Sequence, residues 1–526
     1  MLARVQSGTL RGVDGYLVEV EVDLAPGMPA FTTVGLPEAA VRESKDRVRA
    51  ALKNSGYRFP SNRVTINLAP ADVRKEGTGF DLPVALGILA AQGIVPQEHL
   101  EKYLIFGELS LNGRLKPTRG ILSMALATRE AGLALVIPQD NAREAAAIQG
   151  LEIYPAATLA QLVEFLAGRE PIGAYLSESP DPEGLAADYD LDFLEVKGQE
   201  PVKRALLLAA AGGHNVLMIG PPGAGKTMLA QRLPAILPPL SLEEAVETSR
   251  IYSVAGLLKP GQGLLTRRPF RAPHHTISDA GLIGGGTIPR PGEVSLAHHG
   301  VLFLDELPEF KRSTLEVLRQ PLEDGLVTIS RAASAITFPA RFMLVTAMNP
   351  CFCGFYGDNQ RACTCTPQRI QQYRSRISGP LLDRIDLQIQ VAAVPFRDLA
   401  ADSQGQGSQA MRVRVSQARQ VQGRRFARVP RVFANAQMTV KMVQEHCALG
   451  PEARRLLEVA VERLGLSARA YTRILKIART IADLEGASEI ALPHVAEAIQ
   501  YRTLDRQFSS PQGVRFARET AERYLV

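Results

Sequence analysis

The stretch Gly220-Pro221-Pro222-Gly223-Ala224-Gly225-Lys226-Thr227 decides the fold of the central part of this chain. It matches G-x-x-x-x-G-K-[ST] at every fixed position, follows the apolar run 216–219, and precedes a helical pattern that begins at Met228. A strand, a glycine-rich loop and a helix in this order predict a phosphate-binding loop. Backbone N–H groups would face the phosphates of ATP, Lys226 would reach the β- and γ-phosphates, and the Thr227 hydroxyl would bind Mg²⁺.

A pair of acids supplies the second half of a nucleotide site. The continuous apolar run 301–304 is typical of a strand buried on both faces, and it ends in Asp305 and Glu306. Asp305 would hold Mg²⁺ through water, and Glu306 would polarise the water that attacks the γ-phosphate. Since ligands bind at the carboxyl ends of parallel strands, the two elements predict an α/β ATPase core with a parallel sheet.

Composition indicates a multi-domain protein. The chain has 526 residues, of which 46% are apolar, and its length favours about three or four domains. No apolar stretch is long enough for a membrane helix, and the first 20 residues lack the apolar region of a signal peptide. We therefore expect a cytoplasmic location and no membrane partner. Five cysteines without a secretory signal argue against a disulfide scaffold.

The pattern along the chain divides it into three blocks. Residues 1–168 mix strand-like and helical runs and predict an α/β domain. Residues 169–190 are rich in Pro, Gly and acids and predict a linker. The ATPase core would occupy 191–396, and the polar stretch 401–409 is expected to form a flexible connection. Residues 411–526 predict a helical domain, most clearly at 451–464 and 468–484.

Positive charge is concentrated near the C-terminus. Residues 401–526 contain 20 Lys and Arg against 12 Asp and Glu. Seven arginines lie between Met411 and Arg431 with no acid among them, including the adjacent Arg424 and Arg425. This run could bind nucleic-acid phosphates, with Arg424 and Arg425 as candidate contacts. It could equally form a solvated helix face or meet an acidic neighbouring subunit.

Three further stretches carry a family resemblance that extends over nearly the whole chain. They are RPFRAPHHTISDAGLIGGG (268–286), PRPGEVSLAHHGVLFLDELPEF (289–310) and SGPLLDRIDLQI (378–389). They resemble the magnesium-chelatase-like AAA+ proteins and, more closely, the ComM (YifB) family. That resemblance implies a hexameric ATPase associated with DNA branch migration in natural transformation, with an N-terminal Lon-protease-like domain and a C-terminal helical lid.

The same resemblance assigns further parts of the ATP site. Asn349 would be the sensor that orders the hydrolytic water beside Glu306. Arg384 would be the arginine finger that reaches the adjacent subunit's site, where a guanidinium stabilises the charge of the transferring phosphoryl group. Arg469 matches the lid arginine, and Arg473, one helical turn later, is the alternative.

Two loops are expected to face a central pore. The run 325–339 predicts a β-hairpin on which Arg331 occupies the place where helicase-like relatives present a basic residue to DNA. The segment 271–291 resembles the insertion in the second helix of this clade, and its glycines and His274-His275 suit a mobile loop. These histidines could equally be structural, and no further ligand with zinc spacing lies near them.

The N-terminal block raises the question of peptidase activity, because Lon-like domains can be serine–lysine peptidases. The stretch 75–81 matches the family's nucleophile motif but places Gly79 where the serine should be, and Leu122 takes the place of the activating lysine. Thr78 and Lys116 are near in sequence but do not fall at the family's positions. Since neither Gly79 nor Leu122 can do this chemistry, we expect a non-peptidase domain used for assembly or for binding a partner or DNA.

Four cysteines form a further pattern. Cys351, Cys353, Cys363 and Cys365 are two C-x-C pairs within 15 residues. Four thiolates could close a tetrahedral structural Zn²⁺ site and fix a polar loop, and reduced or redox-labile thiols are the alternative. Cys447 is isolated and is expected only to pack.

Together these features and the family resemblance predict an ATP-driven hexameric motor that acts on single-stranded, forked or branched DNA, namely a branch-migration helicase working with recombination proteins. The alternative is a chelatase-like remodeler of a protein or metal-insertion complex. An ATP-dependent protease is disfavoured by Gly79 and Leu122. Translocation polarity, the preferred DNA structure and the conditions for ring assembly are left open by the sequence.

Overall fold

A computed structural model describes residues 1–75, 77–175, 189–259, 261–286, 289–331, 334–358, 361–395, 405–429 and 432–504. Most of the expected linker (176–188), much of the expected flexible connection (401–404), Arg431 and the residues after 504 lie outside these ranges. Of Arg331 only the backbone is described.

The N-terminal domain is built on a seven-stranded mixed sheet with the order β3-β4-β2-β1-β5-β8-β9. The strands of this sheet are β1 (Leu2–Arg11), β2 (Asp14–Ala25), β3 (Ala30–Val34), β4 (Arg63–Ala69), β5 (Tyr103–Ile105), β8 (Ala134–Pro138) and β9 (Ile153–Ala156), and a separate two-stranded sheet contains β6 (Glu108–Leu109) and β7 (Leu115–Lys116). The helices of this domain are α1 (Ala39–Arg42), α2 (Ser44–Asn54), α3 (Asp81–Ala91), α4 (Gln97–Leu100), α5 (Ile121–Glu130), α6 (Ala142–Ala145) and α7 (Leu159–Leu166).

Local sequence explains most of these elements. Helix α3 is apolar on nearly every side, because it is buried against β1 and β2. Helices α1 and α2 are separated at Glu43, and Arg47 of α2 donates a hydrogen bond to the Ala40 carbonyl of α1. Strand β1 contains few β-branched residues and no aromatic residue, so its pairing with β2 and β5 sets its conformation.

The central domain contains the expected parallel sheet, with five strands in the order β11-β14-β17-β10-β18. Its strands and hairpins are β10 (Val216–Ile219), β11 (Phe270–Arg271), β12 (Gly284–Gly285), β13 (Arg290–Pro291), β14 (Val301–Leu304), β15 (Leu326–Arg331), β16 (Ser334–Pro339), β17 (Met343–Met348) and β18 (Leu387–Gln390). Its helices are α8 (Glu200–Gly212), α9 (Lys226–Ile236), α10 (Leu242–Ala255), α11 (Asp279–Ile283), α12 (Glu293–Leu296), α13 (Arg312–Glu316), α14 (Arg319–Asp324), α15 (Pro367–Arg374) and α16 (Gly379–Leu382).

The C-terminal domain is helical within the described residues. It contains α17 (Ser408–Phe426), α18 (Val440–His446), α19 (Pro451–Leu464), α20 (Ala468–Leu484) and α21 (Leu492–Gln500). Helix α17 packs on α8 and α9, and its buried Val415 and Ala418 belong to the same hydrophobic core as the parallel sheet. The lid and the ATPase core therefore share one apolar interior.

The N-terminal domain docks on helix α10 of the central domain. Arg250 donates hydrogen bonds to the Val13 carbonyl at 2.8 Å and to the Asp14 carboxylate at 2.6 Å. Ser253 Oγ donates to the Glu144 carboxylate at 2.5 Å. Burial raises the pKa of Glu144, and the hydrogen bond from Ser253 opposes that effect. Over the described ranges, no helix is both long and apolar enough to cross a membrane.

Candidate nucleotide site

The phosphate loop is held between a fully buried strand and a helix. Every residue of β10 is buried, and α9 begins at Lys226 directly after the loop. Gly223 and Gly225 have φ values of +79° and +83°, a region that glycine adopts without steric cost. A Cβ atom on Gly220 would lie 2.1 Å from the Val391 carbonyl oxygen, so glycine is needed where β10 meets β18.

Lys226 lies at the centre of the site. Its side-chain nitrogen donates to the carbonyls of Gly220 at 2.7 Å and Pro221 at 2.9 Å, and to Asn349 Oδ1 at 3.1 Å. The residue is only 8% exposed. Burial lowers the pKa of Lys226, and the nearby Asp305 and Glu306 carboxylates oppose this shift. The ammonium is thus held in the cradle where a β- or γ-phosphate would add a stronger partner.

The acid pair lies beside the phosphate loop, as the sequence predicts. Thr227 Oγ1 donates to Asp305 Oδ2 at 2.6 Å, which brings together the two oxygen ligands expected for Mg²⁺. Glu306 follows with a left-handed backbone (φ +51°), which its N–H stabilises by donating to Asp305 Oδ1 at 2.9 Å. Asp305 therefore faces the loop, while Glu306 turns out of the strand with a half-exposed side chain.

Asn349 completes this edge of the sheet. It follows β17, which lies between β10 and β14, so the phosphate loop, Asn349 and the acid pair emerge from three neighbouring strands. Its hydrogen bond to Lys226 ties the sensor position to the loop. The structure thus brings together the residues that the sequence assigns to one ATP site.

Arg384 belongs to a different cluster. It forms an ion pair with Glu323, and its NH1 donates to the Pro380 carbonyl at 3.3 Å. Its Nε is buried without a hydrogen-bond partner. Burial lowers the pKa of Arg384, and the positive charges of Arg469, Arg473 and Arg319 lower it further.

The two candidate lid arginines have different environments. Arg473 donates to the buried Asp386 at 2.8 Å, and its side chain is 17% exposed. Arg469 lies 3.4 Å from Asp383, and its side chain is 62% exposed. The geometry therefore favours Arg469 as the arginine that is free to contact a phosphate, with Arg473 fixing the lid to the sheet.

The basic run of α17 is mostly turned inward. Arg412 and Arg419 donate to the carbonyls of Ala235 and Ala210. Arg425 makes a two-pronged ion pair with the buried Asp483 at 2.6 and 2.7 Å. Because this pair uses both ends of its guanidinium, Arg425 makes a contact within the helical domain, which argues against the predicted contact with DNA. Arg424 is exposed.

The predicted hairpin before the sensor strand is present as β15 and β16, and Arg331 ends β15 opposite Ser334. A second short hairpin, β12 and β13, lies within the segment 271–291. Its tip residues, 287 and 288, lie outside the described part of the chain.

The four cysteines lie together next to the phosphate loop. Sγ–Sγ distances are 3.3 Å for Cys351–Cys353, 3.7 Å for Cys351–Cys363 and 3.5 Å for Cys353–Cys363, and all four sulfurs lie within 4.8 Å of one another. Tetrahedral Zn²⁺ with Zn–S bonds of 2.3 Å would space its sulfurs by roughly 3.8 Å. The cluster, which includes Cys365, therefore has the donors and spacing to bind zinc.

A second group of possible ligands, Glu247, His298 and His299, was not singled out from the sequence. His298 Nδ1 accepts a hydrogen bond from the Arg341 backbone N–H at 2.9 Å. Burial lowers the pKa of His298 to about 4, so the ring is neutral and its proton lies on Nε2, which faces Glu247. A protonated Nε2 cannot bind a metal, and these residues instead connect α10 to the start of β14.

The N-terminal domain has no space for a nucleophile at the Lon-like position. A Cβ atom on Gly79 would lie 2.3 Å from the Phe106 ring, and Leu122 is fully buried in an apolar cluster. Thr78 instead contacts Glu108. The Phe106 ring thus fills the volume that a serine side chain would need.

Comparisons with known proteins identify the family of this chain. Residues 192–399 match the family described as magnesium chelatase, subunit ChlI, and residues 405–502 match its C-terminal family. Residues 20–141 match a third family, described as subunit ChlI of Mg-chelatase. The central and C-terminal matches cover the domains that hold the ATP site and the lid.

Full-length relatives are also found. The competence protein ComM of Haemophilus influenzae is 46% identical over 514 residues, which is 96% of this chain and 98% of that protein. YifB of Salmonella typhimurium is 44% identical over 96% of this chain and 98% of its own length. A Xenopus laevis DNA replication licensing factor, mcm7-B, is 26% identical over 39% of this chain and 26% of its own length. With its chelatase-like AAA+ fold and ATPase site, the chain belongs to the ComM/YifB family of magnesium-chelatase-like proteins.

Proposed function

We propose that this protein is a hexameric, ATP-driven motor that moves DNA strands, acting as a branch-migration helicase that extends heteroduplex DNA during natural transformation. The observation that supports the proposal is that the candidate ATP-binding residues meet at one edge of the sheet, while Arg384 pairs instead with Glu323, outside the phosphate loop. Its relative ComM is named a competence protein, and a partial relative is named a DNA replication licensing factor. The second name supports a DNA substrate, and the first supports a role in competence.

Each residue of the candidate site would have a separate role in ATP binding and hydrolysis. Loop N–H groups and Lys226 would bind the phosphates, and Thr227 with Asp305 would hold Mg²⁺, which neutralises phosphate charge when bound. Glu306 would accept a proton from the attacking water, and Asn349 would orient that water. Lys226 already contacts Asn349, so phosphate binding would change the sensor's surroundings as well.

The arginine cluster supports action between subunits. Among the described residues, the Arg384 guanidinium pairs with Glu323 and donates to the Pro380 carbonyl, and neither residue belongs to the phosphate loop of its own chain. Arg469 lies beside it on the same surface through Asp383. A neighbouring subunit that placed its γ-phosphate here would replace arginine–arginine repulsion with favourable pairing. Such an arrangement closes naturally into a ring.

The DNA contacts in this proposal come from the two hairpins and the exposed part of α17. Arg331 ends β15, and Arg424 is exposed at the end of α17. Both would act by neutralising phosphates, a contribution that weakens as salt rises. Arg425 has no part in this proposal because it pairs with Asp483.

We also propose that the cysteine cluster binds a structural Zn²⁺. A Cβ atom on Gly354, within the cluster's loop, would lie 2.7 Å from Pro222 of the phosphate loop. The cluster therefore packs directly behind the residues that would hold ATP. Bound zinc would fix the loop that starts two residues after Asn349. It would thereby hold Asn349 and the phosphate loop in a constant relative position.

The test is ATP turnover with and without single-stranded, forked and four-way DNA. We expect DNA to stimulate hydrolysis and ATP to drive strand exchange in forked or four-way substrates. Arg331→Ala should retain basal hydrolysis but lose strand movement, whereas Arg331→Lys, which keeps the charge, should retain both. A wild-type protein that hydrolyses ATP but neither binds nor remodels DNA would refute the motor. That result would favour the remodeler of a protein or metal-insertion complex.

A further inference from the structure

A cavity of about 670 Å³ lies between the N-terminal domain and the segment that follows α10 in the central domain. Its volume falls within the roughly 300–1,000 Å³ of small-molecule sites, which often lie where two domains meet. Its lining, which consists of described residues, includes no residue of the candidate ATP site. The cavity is therefore a second concave site, separate from the phosphate loop.

Three basic side chains line this cavity. Arg119 and Arg143 come from the N-terminal domain, and Lys259 comes from the central domain. All three residues are exposed, and within the described ranges the charged group of none of them has an ion pair or a hydrogen bond. Arg119 reaches across the interface, since a Cβ atom on Gly256 would lie 2.6 Å from its Nε. The two domains thus bring positive charge together in one concave space, which favours an anionic ligand.

The two acids of the lining do not pair with these cations. Glu144 Oε1 accepts hydrogen bonds from Ser253 Oγ at 2.5 Å and from the Leu122 N–H at 3.3 Å. Its Oε2 accepts from Asn141 Nδ2 at 3.1 Å. Asp140 is exposed and makes no ion pair with any described residue. Three free cations therefore face one free acid, a balance that suits a phosphate monoester, which carries close to two negative charges at neutral pH.

Part of the lining is fixed before any ligand binds. The Thr118 N–H donates to Asn141 Oδ1 at 2.9 Å, and Asn141 Nδ2 donates to the Thr118 carbonyl at 3.0 Å. The Thr118 hydroxyl is buried without a hydrogen-bond partner among the described residues. An unpaired buried hydroxyl costs free energy, so a ligand oxygen that reached it would supply the missing hydrogen bond.

An aromatic side chain adds a surface for a flat ring. Tyr175 lines the cavity and is 40% exposed, and its N–H donates to the Ile153 carbonyl at 2.7 Å, which anchors it to β9. Pro117, Pro155 and Leu258 add apolar surface to the lining. Nucleotide bases stack on aromatic rings, whereas phosphates pair with arginine and lysine. The cavity contains side chains of both kinds.

We propose that this interdomain cavity binds a mononucleotide, with its phosphate held by Arg119, Arg143 and Lys259 and its base against Tyr175. The ligand would contact both domains, so its binding would stabilise the docking of the N-terminal domain next to α10. This site does not depend on the proposed DNA motor, because none of its residues belongs to the ATP site or to the two hairpins.

Calorimetric titration of full-length Lys226→Ala tests the proposal, because this variant weakens binding at the phosphate loop. The probes are AMP, GMP and ribose 5-phosphate at low ionic strength, where charges are least screened. We expect at least one mononucleotide to bind, and a further Arg143→Gln change to weaken its affinity about tenfold or more, since a hydrogen bond from a charged group is lost. Arg129→Gln is the matched control, an exposed arginine of the same domain outside the lining, and should leave the affinity unchanged.

Two further readouts locate the ligand. Tyr175→Ala should weaken binding of the mononucleotide but not of ribose 5-phosphate, because only the former has a base. Bound mononucleotide should slow amide hydrogen exchange in residues 118–120 and 261–263, on the two sides of the interface. The proposal would be overturned if neither mononucleotide bound, if Arg143→Gln and Arg129→Gln had equal affinities, or if protection were confined to residues 220–227. Binding of a 5′-phosphorylated tetranucleotide but of neither mononucleotide would also overturn it.

Discussion

Replacing Arg425 by Ala separates a structural arginine from a DNA contact. The change would remove an ion pair with Asp483, whose side chain is fully buried, from a site where Arg425 is 13% exposed. Removing one partner of a buried pair costs about 3–5 kcal/mol. Asp483 would keep Arg479 at 3.0 Å and Asn435 at 2.8 Å, so we expect a cost somewhat below this range, about 2–3 kcal/mol.

Amide hydrogen exchange measures this loss of stability locally, in the helices that contain the ion pair. A local measurement is needed because a chain of several domains does not unfold in one step. Amides of α17 and α20 should exchange roughly 30- to 150-fold faster in Arg425→Ala, as a loss of 2–3 kcal/mol requires. Arg424→Ala is the neighbouring control: exchange should stay at the wild-type rate, while the slope of log affinity for DNA against log salt falls by about 0.9. Wild-type exchange in Arg425→Ala, together with a loss of DNA affinity equal to that of Arg424→Ala, would refute the reasoning.

Three further outcomes are expected. Lys226→Ala should weaken ATP binding, whereas Glu306→Gln should bind ATP and hydrolyse it slowly; near-normal turnover in the latter would exclude Glu306 as the base. Arg384→Ala should bind ATP without hydrolysing it. If the arginine acts between subunits, mixing this variant with Lys226→Ala subunits should restore part of the activity. No restored activity would point to action within one subunit or to inactivation of mixed rings by the defective subunits. Metal analysis after dialysis against a mild chelator should find about one Zn²⁺ per chain, and a metal-free protein that is folded and active would reject the zinc site.

The nucleotide site was predictable because its residues are fixed by local chemistry. The spacing of Gly220, Gly225 and Lys226 is required by a loop whose N–H groups face phosphates, and an apolar strand must lead into it. The same logic located Asp305 at the end of β14. Helices α19 and α20 were predictable as well, since their apolar residues repeat at helical spacing and Ser467 caps α20.

The environments of some predicted site residues depend on tertiary contacts that the local sequence does not reveal. Arg424 and Arg425 are adjacent and chemically identical, yet one is exposed and the other pairs with Asp483, 58 residues away. No local pattern distinguishes them, because successive helical residues point about 100° apart and the position of Asp483 depends on how α20 packs. The 3.5 Å contact of His275 with Glu306 likewise depends on β11 lying next to β14 in the sheet.

In the N-terminal domain, the position that the resemblance to Lon-like domains assigns to a nucleophile has no room for a side chain. Phe106 occupies the space beside Gly79, and the domain instead uses its β1–β2 turn as a contact surface. A Cβ atom on Gly12 in that turn would lie 2.9 Å from Ile336, and Val13 shares a hydrophobic cluster with Ile329 and Ile336 of the β15–β16 hairpin. Because Arg250 holds the same turn to α10, the hairpin that carries Arg331 is supported from a second domain. Movement of that hairpin would therefore have to shift the N-terminal domain with it or break this apolar contact.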